Sequence, residues 1–416
     1  LNMVFSGGTL KLEEAYKLAV EVLSESVKYK TVLGEQYEEI VNYYSEVLAK
    51  HGVHVTVHRV PDEYTRKHLA QQFNPDKPRY ILLARVGYGE RVLQFNGHYD
   101  VVPAGEGWSK PPFEPTITNG KLFGRGSSDM KGGIAAIIAT LVYFAQTREP
   151  GTVLEAAFVP DEEIGGTTGT GYLVNELGSR PNWVVIAEPS GLNNIYVGHR
   201  GNVWCLVKVH GKQAHGSTPW LGDNAFEKML VFARRFIEEY RALLANRISS
   251  YKYEHPEASK PSINPGGLLV SPGAVNVVPG FIGFSIDRRL VVEEKADNVV
   301  AEIMSIAERV SHETGIKVSV DVLSKSDPAY TPEDSLIVKT LVKSITQVTG
   351  VSPRTTICVG GLDLKYYTAR GIPAVAYGPG KVEVAHKVDE YIELEDLRRT
   401  VEIYINLVKN LEKESD

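Results

Sequence analysis

Histidine, aspartate and glutamate, the residues that most often bind metal ions or move protons, are concentrated in five short segments of this chain. In the first, His98 and Asp100 follow the apolar run Val92–Asn96. A neutral imidazole is a good zinc ligand, and a carboxylate two residues further on can accept its other N–H and fix the tautomer. A His-x-Asp pair alone is a weak signal, because a single histidine is more often structural.

Asp129 lies in the glycine-rich segment 124–133, GRGSSDMKGG, where a loop is predicted to become a helix. Glycines allow the backbone to pass close to other groups. An aspartate at this point could instead be an ordinary helix N-cap. The density of glycine on both sides argues against that alternative.

Three adjacent carboxylates, Asp161, Glu162 and Glu163, follow the apolar strand predicted at Val153–Val159. Neighbouring carboxylates repel one another, and a cation would relieve that repulsion. A solvated acidic turn is the equally simple alternative when this segment is considered alone.

The combination of the five segments predicts a metal centre. Glu188 follows another apolar strand, Trp183–Ala187, and His386 lies near the end of the chain. In open α/β sheets, ligands bind at the carboxyl ends of the strands, which is where most of these side chains are predicted to lie. Two imidazoles and three carboxylates fit two zinc ions that share one bridging carboxylate, with one further carboxylate left to move a proton.

The elements that must position these residues alternate between helix and strand in the first part of the chain. Apolar faces predict helices at 12–23 and 37–48, the pattern at 53–57 predicts a half-buried strand, and 132–144 reads as a buried helix. Interleaved strands and helices indicate an α/β layer architecture.

The middle of the chain has a different pattern. Two successive strand-helix-strand patterns predict a small α+β sandwich inserted at 199–326, which leaves residues 1–198 and 327–416 as a discontinuous outer domain. A polar stretch at 245–265 is predicted to be a loop or insertion.

Composition excludes several classes of protein. The formal net charge of -6 argues against a general nucleic-acid binder. With no run of 18 apolar residues and no signal pattern at Leu1–Met3, we expect no association with a membrane. The two distant cysteines, Cys205 and Cys358, provide neither a disulfide framework nor a zinc knuckle, so a reducing, cytoplasmic location is expected.

These segments resemble those of the M20 metallopeptidases, and the branch that they resemble most contains acetylornithine deacetylase and succinyl-diaminopimelate desuccinylase. They occur in the family order between about residue 95 and residue 390. The resemblance implies a zinc-peptidase-like catalytic domain with a mixed central sheet flanked by helices, and a smaller lid or dimerisation domain. The matching segments are 97–103 (GHYDVVP), 124–133, 161–163 (DEE), 188–190 (EPS) and 385–386 (AH).

The resemblance also implies a ligand set for two zinc ions. One ion would be held by His98 and Glu188 and the other by Glu163 and His386, with Asp129 bridging both. Cobalt or manganese could substitute for zinc in such a site.

Three further residues receive catalytic roles from the resemblance. Glu162 would be the general base, and Asp100 would orient His98. His215 would reach the active site of a partner subunit and hydrogen-bond the oxyanion, which implies a homodimer formed through the inserted domain. Without the resemblance, His215 would be interpreted as a histidine in a surface turn.

Substrate-binding positions are implied at Asn276, Arg289, Gly360 and Gly361. Arginine suits a substrate carboxylate because its planar fork pairs with both oxygens, and the adjacent Arg288 is an alternative register. Leu362 departs from the family pattern, since desuccinylases usually carry a hydroxyl residue there.

The sequence therefore predicts a metal-dependent amide hydrolase that removes the acyl group from a small N-acyl amino acid. A dipeptidase or carboxypeptidase with the same metal centre is the alternative, and a binding protein that has lost catalysis is disfavoured by the complete ligand set. The chain contains neither a Gly-x-Ser-x-Gly nucleophile elbow nor a phosphate-binding Gly-x-x-x-x-Gly-Lys-[Ser/Thr] loop.

Overall fold

The computed structural model describes residues 11–147, 150–271 and 273–414, and these divide into two compact units. The first unit comprises residues up to Val197, Thr331–Thr355 and Leu362 onward, and the second comprises Gly198–Tyr330 and Thr356–Gly361. The boundaries predicted at 199 and 326 differ from these by one and four residues, and the short segment 356–361 was not anticipated.

The strands are numbered here in chain order. They are β1 His54–Arg59, β2 Tyr80–Val86, β3 Val92–His98, β4 Thr116–Thr118, β5 Lys121–Phe123, β6 Val153–Val159, β7 Trp183–Pro189, β8 Asn194–His199, β9 Gly201–His210, β10 Ala214–His215, β11 Ser262–Val270, β12 Val277–Val278, β13 Phe281–Leu290, β14 Val318–Ser326, β15 Ala329–Tyr330, β16 Arg354–Cys358, β17 Ala374–Gly378 and β18 Tyr391–Glu393.

The α-helices of the described residues are numbered in the same way. They are α1 Leu12–Val27, α2 Tyr37–Lys50, α3 Asp62–His68, α4 Gly132–Thr147, α5 Thr170–Asn175, α6 Ala225–Leu244, α7 Ala296–Thr314, α8 Leu336–Thr349, α9 Leu364–Thr368 and α10 Leu394–Lys413.

The first unit is built on a mixed sheet with the strand order β1-β2-β6-β3-β7-β17-β8. The four central strands β6, β3, β7 and β17 are parallel to one another. The outer pairs are antiparallel: β1 with β2, β2 with β6, and β17 with β8. Because parallel strands end at the same edge, the residues that follow β3, β6 and β7 come together there. The predicted α/β fold with a mixed central sheet is confirmed.

Helices cover both faces of this sheet. Phe158 of β6 packs against Tyr44 of α2, while the alternate residues Ala157 and Val159 pack against Leu173 of α5. The apolar helix α4 contacts α1, α10 and the central strands. Among the described helices, only the stretch Ser127–Thr147 is long and apolar enough to cross a membrane, and most of it is buried as a core helix would be.

The second unit contains an antiparallel sheet with the order β11-β13-β9-β14. Alternate residues of β9, from Val203 to Val209, point into a core that α6 and α7 complete. α6 contributes the stripe Phe232, Phe236, Tyr240 and Leu244, whose spacing of four residues places them on one face.

Gly133 of α4 permits the helix to lie directly against β7. An ideal Cβ at Gly133 would lie 2.2 Å from the carbonyl oxygen of Ala187 and 2.7 Å from the Cβ of Ala187. We expect Gly133→Ala to lower the free energy of unfolding by about 1–3 kcal/mol, because neither helix nor strand backbone can move cheaply. Urea unfolding followed by circular dichroism measures the change.

Gly267→Ala is the matched control, since the nearest atom to its added Cβ would be Ser285 Oγ at 3.7 Å. Equal unfolding midpoints for the two variants would show that the contact between α4 and β7 is not tight.

Candidate metal centre

The first group of candidate ligands is formed by His98, Asp129 and Glu188. Nε2 of His98, at the end of β3, lies 3.2 Å from Asp129 Oδ1 and 3.7 Å from Glu188 Oε1. His98 and Glu188 are buried. One donor atom of each residue lies within 4.8 Å of the others, which is close enough for a single cation to be bound by all three.

The second group shares the same aspartate. Asp129 Oδ2 lies 3.2 Å from Nε2 of His386, and that nitrogen lies 3.0 Å from Glu163 Oε1. The two oxygens of Asp129 therefore face two different imidazoles, each in a separate group of three potential ligands. This is the arrangement that a bridging carboxylate requires. His386 is the exposed member of the cluster, and it has a positive φ of 60°.

The protonation energetics of these groups fit the binding of cations. Burial raises the pKa of Glu162 and Glu188 well above the ordinary range, and it raises the pKa of Glu163 to about 7. Hydrogen bonds to Asp129 and Glu163 raise the pKa of His386 to about 10. Glu188 Oε1 is buried without a hydrogen-bond partner among the described residues. Divalent cations would offset both the desolvation and the mutual repulsion of these carboxylates.

Asp100 differs in detail from the predicted arrangement. The closest acceptor to Nδ1 of His98 is the backbone carbonyl oxygen of Asp100, at 3.0 Å, whereas the nearer carboxylate oxygen lies at 3.5 Å. The carboxylate instead accepts the backbone N–H groups of Glu162, at 3.2 Å, and Glu163, at 3.1 Å. Asp100 thus fixes the ring of His98 and also anchors the turn that carries the two glutamates.

Glu162 lies in this turn with its carboxylate free of hydrogen bonds to any other described residue, which leaves the carboxylate available to a substrate or water. The preceding residue, Asp161, has a positive φ of 63°. Its buried carboxylate accepts hydrogen bonds from Arg79 Nε at 2.7 Å, Tyr37 Oη at 3.0 Å and Thr168 Oγ1 at 2.5 Å. These contacts hold a backbone conformation that non-glycine residues rarely adopt.

Glu390 is a structurally important residue of the site to which the sequence pattern assigned no role. Its buried carboxylate accepts the backbone N–H groups of Gly126, Ser128 and Asp129 at 2.9–3.0 Å, and it pairs with Arg125 at 2.7 Å. Glu390 therefore fixes the loop that presents the shared Asp129. Its position four residues after His386 was the only sign in the sequence that Glu390 belongs to the site. The backbone N–H groups that it binds have no sequence signature.

Two predicted site residues, His215 and Asn276, lie next to each other in the second unit. His215 is in β10, and its neighbour Gly216 donates a backbone hydrogen bond of 2.7 Å to the carbonyl of Asn276. The backbone N–H of Ser217 donates to Nδ1 of His215 at 3.1 Å. Because Nδ1 accepts this bond, a neutral His215 carries its ring proton on Nε2.

The structure separates the two adjacent arginines by burial. Arg288 is buried, bonds to the hydroxyl of Tyr240 and pairs with Glu294, so its charge is already compensated. Arg289 is partly exposed and pairs with Asp287 at 2.9 Å. Of the two arginines, Arg289 is therefore the one that is partly open to solvent.

The predicted glycines, Gly360 and Gly361, belong to the segment of the second unit that ends at 361. A Cβ at Gly361 would meet nothing within 4 Å, and one at Gly360 would meet only Cys358 Sγ at 4.0 Å. Packing within the described residues therefore does not account for glycine at either position.

Comparison with known proteins places this geometry in a family. Residues 94–410 match the model of peptidase family M20/M25/M40. The chain is 27% identical to a probable succinyl-diaminopimelate desuccinylase from Staphylococcus aureus, over 93% of this chain and 96% of the relative.

Solved structures share the fold. An M20 metallo-carboxypeptidase from Sulfolobus solfataricus superposes with a TM-score of 0.73 at 20% identity, covering 95% of this chain and 99% of the other. A dinuclear metal-binding M20 peptidase from Bacillus subtilis superposes with a TM-score of 0.70 at 13% identity, covering 96% and 99%. The match to the family model extends over most of the chain, so the protein belongs to peptidase family M20/M25/M40 and is a metallohydrolase.

Proposed function

We propose that the protein hydrolyses the amide bond of a small N-acyl amino acid, with a pair of zinc ions held by His98, Asp129, Glu163, Glu188 and His386. The observation that carries the proposal is the placement of one oxygen of Asp129 in each of two ligand groups. The mixture of imidazoles and carboxylates favours zinc, and cobalt or manganese could replace it.

Bound cations would supply a lowered pKa for water and polarisation of the amide carbonyl. The protein supplies the proton transfer. Glu162, whose carboxylate has no partner among the described residues, takes a proton from the attacking water and delivers it to the nitrogen of the leaving amine. Asp100 holds the backbone of Glu162 in place during both steps.

His215 would stabilise the oxyanion from a second subunit. Its Nε2–H is free to donate because Nδ1 is held by Ser217. Formation of a homodimer through the second unit is supported by apolar side chains that this unit exposes, including Trp204, Trp220 and Leu221. Asn276 and Arg289 would bind the substrate carboxylate, and Gly360 and Gly361 would leave space for the substrate.

The relatives include both deacylases and peptidases, so the reaction is tested by a substrate screen. We expect kcat/KM for N-acetyl-ornithine or N-succinyl-diaminopimelate to exceed that for simple dipeptides by at least about tenfold. Release of acetate or succinate is compared with release of free amino acids. Faster cleavage of dipeptides would replace the deacylase proposal with a dipeptidase.

Replacing the proposed proton carrier tests the mechanism. Glu162→Gln should lower kcat by about 10²–10⁴-fold, because the amide cannot accept the proton, while the bound metal is retained. Kinetics and elemental analysis measure the two effects. Glu176→Gln, a change of an exposed glutamate, is the control. A Glu162→Gln variant with wild-type kcat would contradict the assignment.

Glu390→Gln should weaken zinc binding by roughly 10–100-fold, since its amide group would face backbone N–H donors and release the loop of Asp129. Competition with a chelator measures the affinity, and circular dichroism checks the fold. The exposed Glu383→Gln is the control. Unchanged zinc affinity in Glu390→Gln would mean that the loop of Asp129 keeps its conformation without the hydrogen bonds to the Glu390 carboxylate.

Complementation tests whether His215 acts in the partner's site. Glu162→Gln and His215→Ala chains are each expected to be nearly inactive. Co-expressed, they should recover about a quarter of wild-type activity, because half of the dimers are mixed and each mixed dimer has one intact site. No recovery, or a monomer by light scattering at micromolar concentration, would contradict the proposed dimer.

A further inference from the structure

The second unit contains a cavity of about 740 Å³ that no part of the proposed reaction uses. It lies between the last turn of α6 and the segment that leads into β11, and this segment forms most of the polar stretch 245–265. The volume falls within the range of roughly 300–1,000 Å³ that small-molecule sites occupy. Its lining combines apolar side chains with several cations.

The charges around the cavity are mostly positive. Arg200, Arg241 and Lys260 contribute three cations, and Glu257, which lies 3.7 Å from Lys260, contributes one anion. The carbonyl end of α6 adds about half an elementary negative charge. The balance is positive in a chain whose net charge is -6, so the cluster is not a consequence of composition.

Arg200 is the unusual member of this lining, because it is only 8% exposed and has no carboxylate partner among the described residues. Its guanidinium donates only to backbone carbonyls, those of Lys260 and Arg289 at 3.1 Å and that of Leu290 at 3.2 Å. These bonds use Nε and Nη2, which leaves Nη1 without a hydrogen-bond acceptor in the described part of the chain. Burial lowers the pKa of the group, as expected for a charge that is incompletely compensated.

The other buried arginines of the described residues are each paired with an acid. Arg79 pairs with Asp161 at 2.7 Å, Arg125 with Glu390 at 2.7 Å, and Arg288 with Glu294 at 2.5 Å. A buried cation without such a partner is costly. An anionic ligand in the cavity would complete the pattern that the other three arginines follow.

We infer that this cavity is a binding site for a small organic anion, whose carboxylate or phosphate group is recognised by Arg200, Arg241 and Lys260. The apolar lining residues Leu244 and Ile263 would contact the rest of the ligand. Arginine forks suit both kinds of oxyanion. The site belongs to the second unit alone and is separate from the ligands proposed for the metals.

The test is calorimetric titration of the metal-loaded full chain with phenyl phosphate, benzoate and uncharged benzyl alcohol. We expect at least one of the two anions to bind, and benzyl alcohol not to bind. Tighter binding of phenyl phosphate would identify a phosphate site, and tighter binding of benzoate a carboxylate site. Absence of binding by both anions, or equal binding of the alcohol, would overturn the inference.

Variants locate the binding. Arg200→Lys tests the buried fork but can disturb the fold, so the decisive variant is R241Q/K260Q, whose two side chains are exposed. It should weaken anion binding at least about tenfold and leave amide hydrolysis unchanged. Arg234→Gln removes an exposed cation of α6 outside the cavity and is the control. Anion binding to the metals would be unaffected by R241Q/K260Q, so equal affinity in wild type and this variant would refute the site.

Discussion

The site depends on the sharing of one carboxylate, that of Asp129, between two imidazoles. Each oxygen of Asp129 lies 3.2 Å from a different histidine. In water such a cluster of acids and imidazoles would disperse, because the carboxylates repel one another. The fold must therefore bring them together from strand ends and loops and then hold them against that repulsion.

Hydrogen bonds from backbone N–H groups provide much of this stabilisation. The carboxylates of Asp100 and Glu390 accept N–H groups from the two turns that carry Asp129, Glu162 and Glu163. A carboxylate that binds several N–H donors fixes a loop more rigidly than a single side-chain pair would. The catalytic candidate, Glu162, is left as a carboxylate with no such bonds in the described structure, which matches a group that must exchange a proton.

The sequence allowed the convergence of His98, Glu163 and Glu188 to be predicted, because these residues lie at or just after the ends of apolar strands and parallel strands end at one edge. Asp129 and His386 do not lie at the ends of such strands, and their places in the ligand set came from the resemblance. The hydrogen bonds by which Glu390 fixes the loop of Asp129 were not predictable in the same way, since its partners are backbone atoms more than 260 residues away in sequence. The role of Asp100 was anticipated for its side chain, but the contact with His98 is made chiefly by its backbone carbonyl.

The polar stretch at 245–265 shows a different limit to predicting secondary structure from sequence. Its last residues begin strand β11, Ser262–Val270, which contains Pro265 and two glycines and therefore has little strand propensity. β11 is an edge strand with an irregular register after Pro265, and edge strands tolerate a residue that cannot donate a hydrogen bond. Composition alone could not distinguish this strand from a loop.

The hydrogen bond between Glu390 and the backbone of Asp129 spans 261 residues of sequence. A ribosome would therefore have synthesised the whole central sheet and the entire second unit before the loop of Asp129 could be fixed. Domains generally fold from the amino terminus as the chain emerges. The loop of Asp129, however, cannot be fixed until Glu390, the residue before the last described strand β18, has been synthesised. A nascent chain halted before residue 386 would retain most of the scaffold and lack both His386 and the residue that locks the shared aspartate in place.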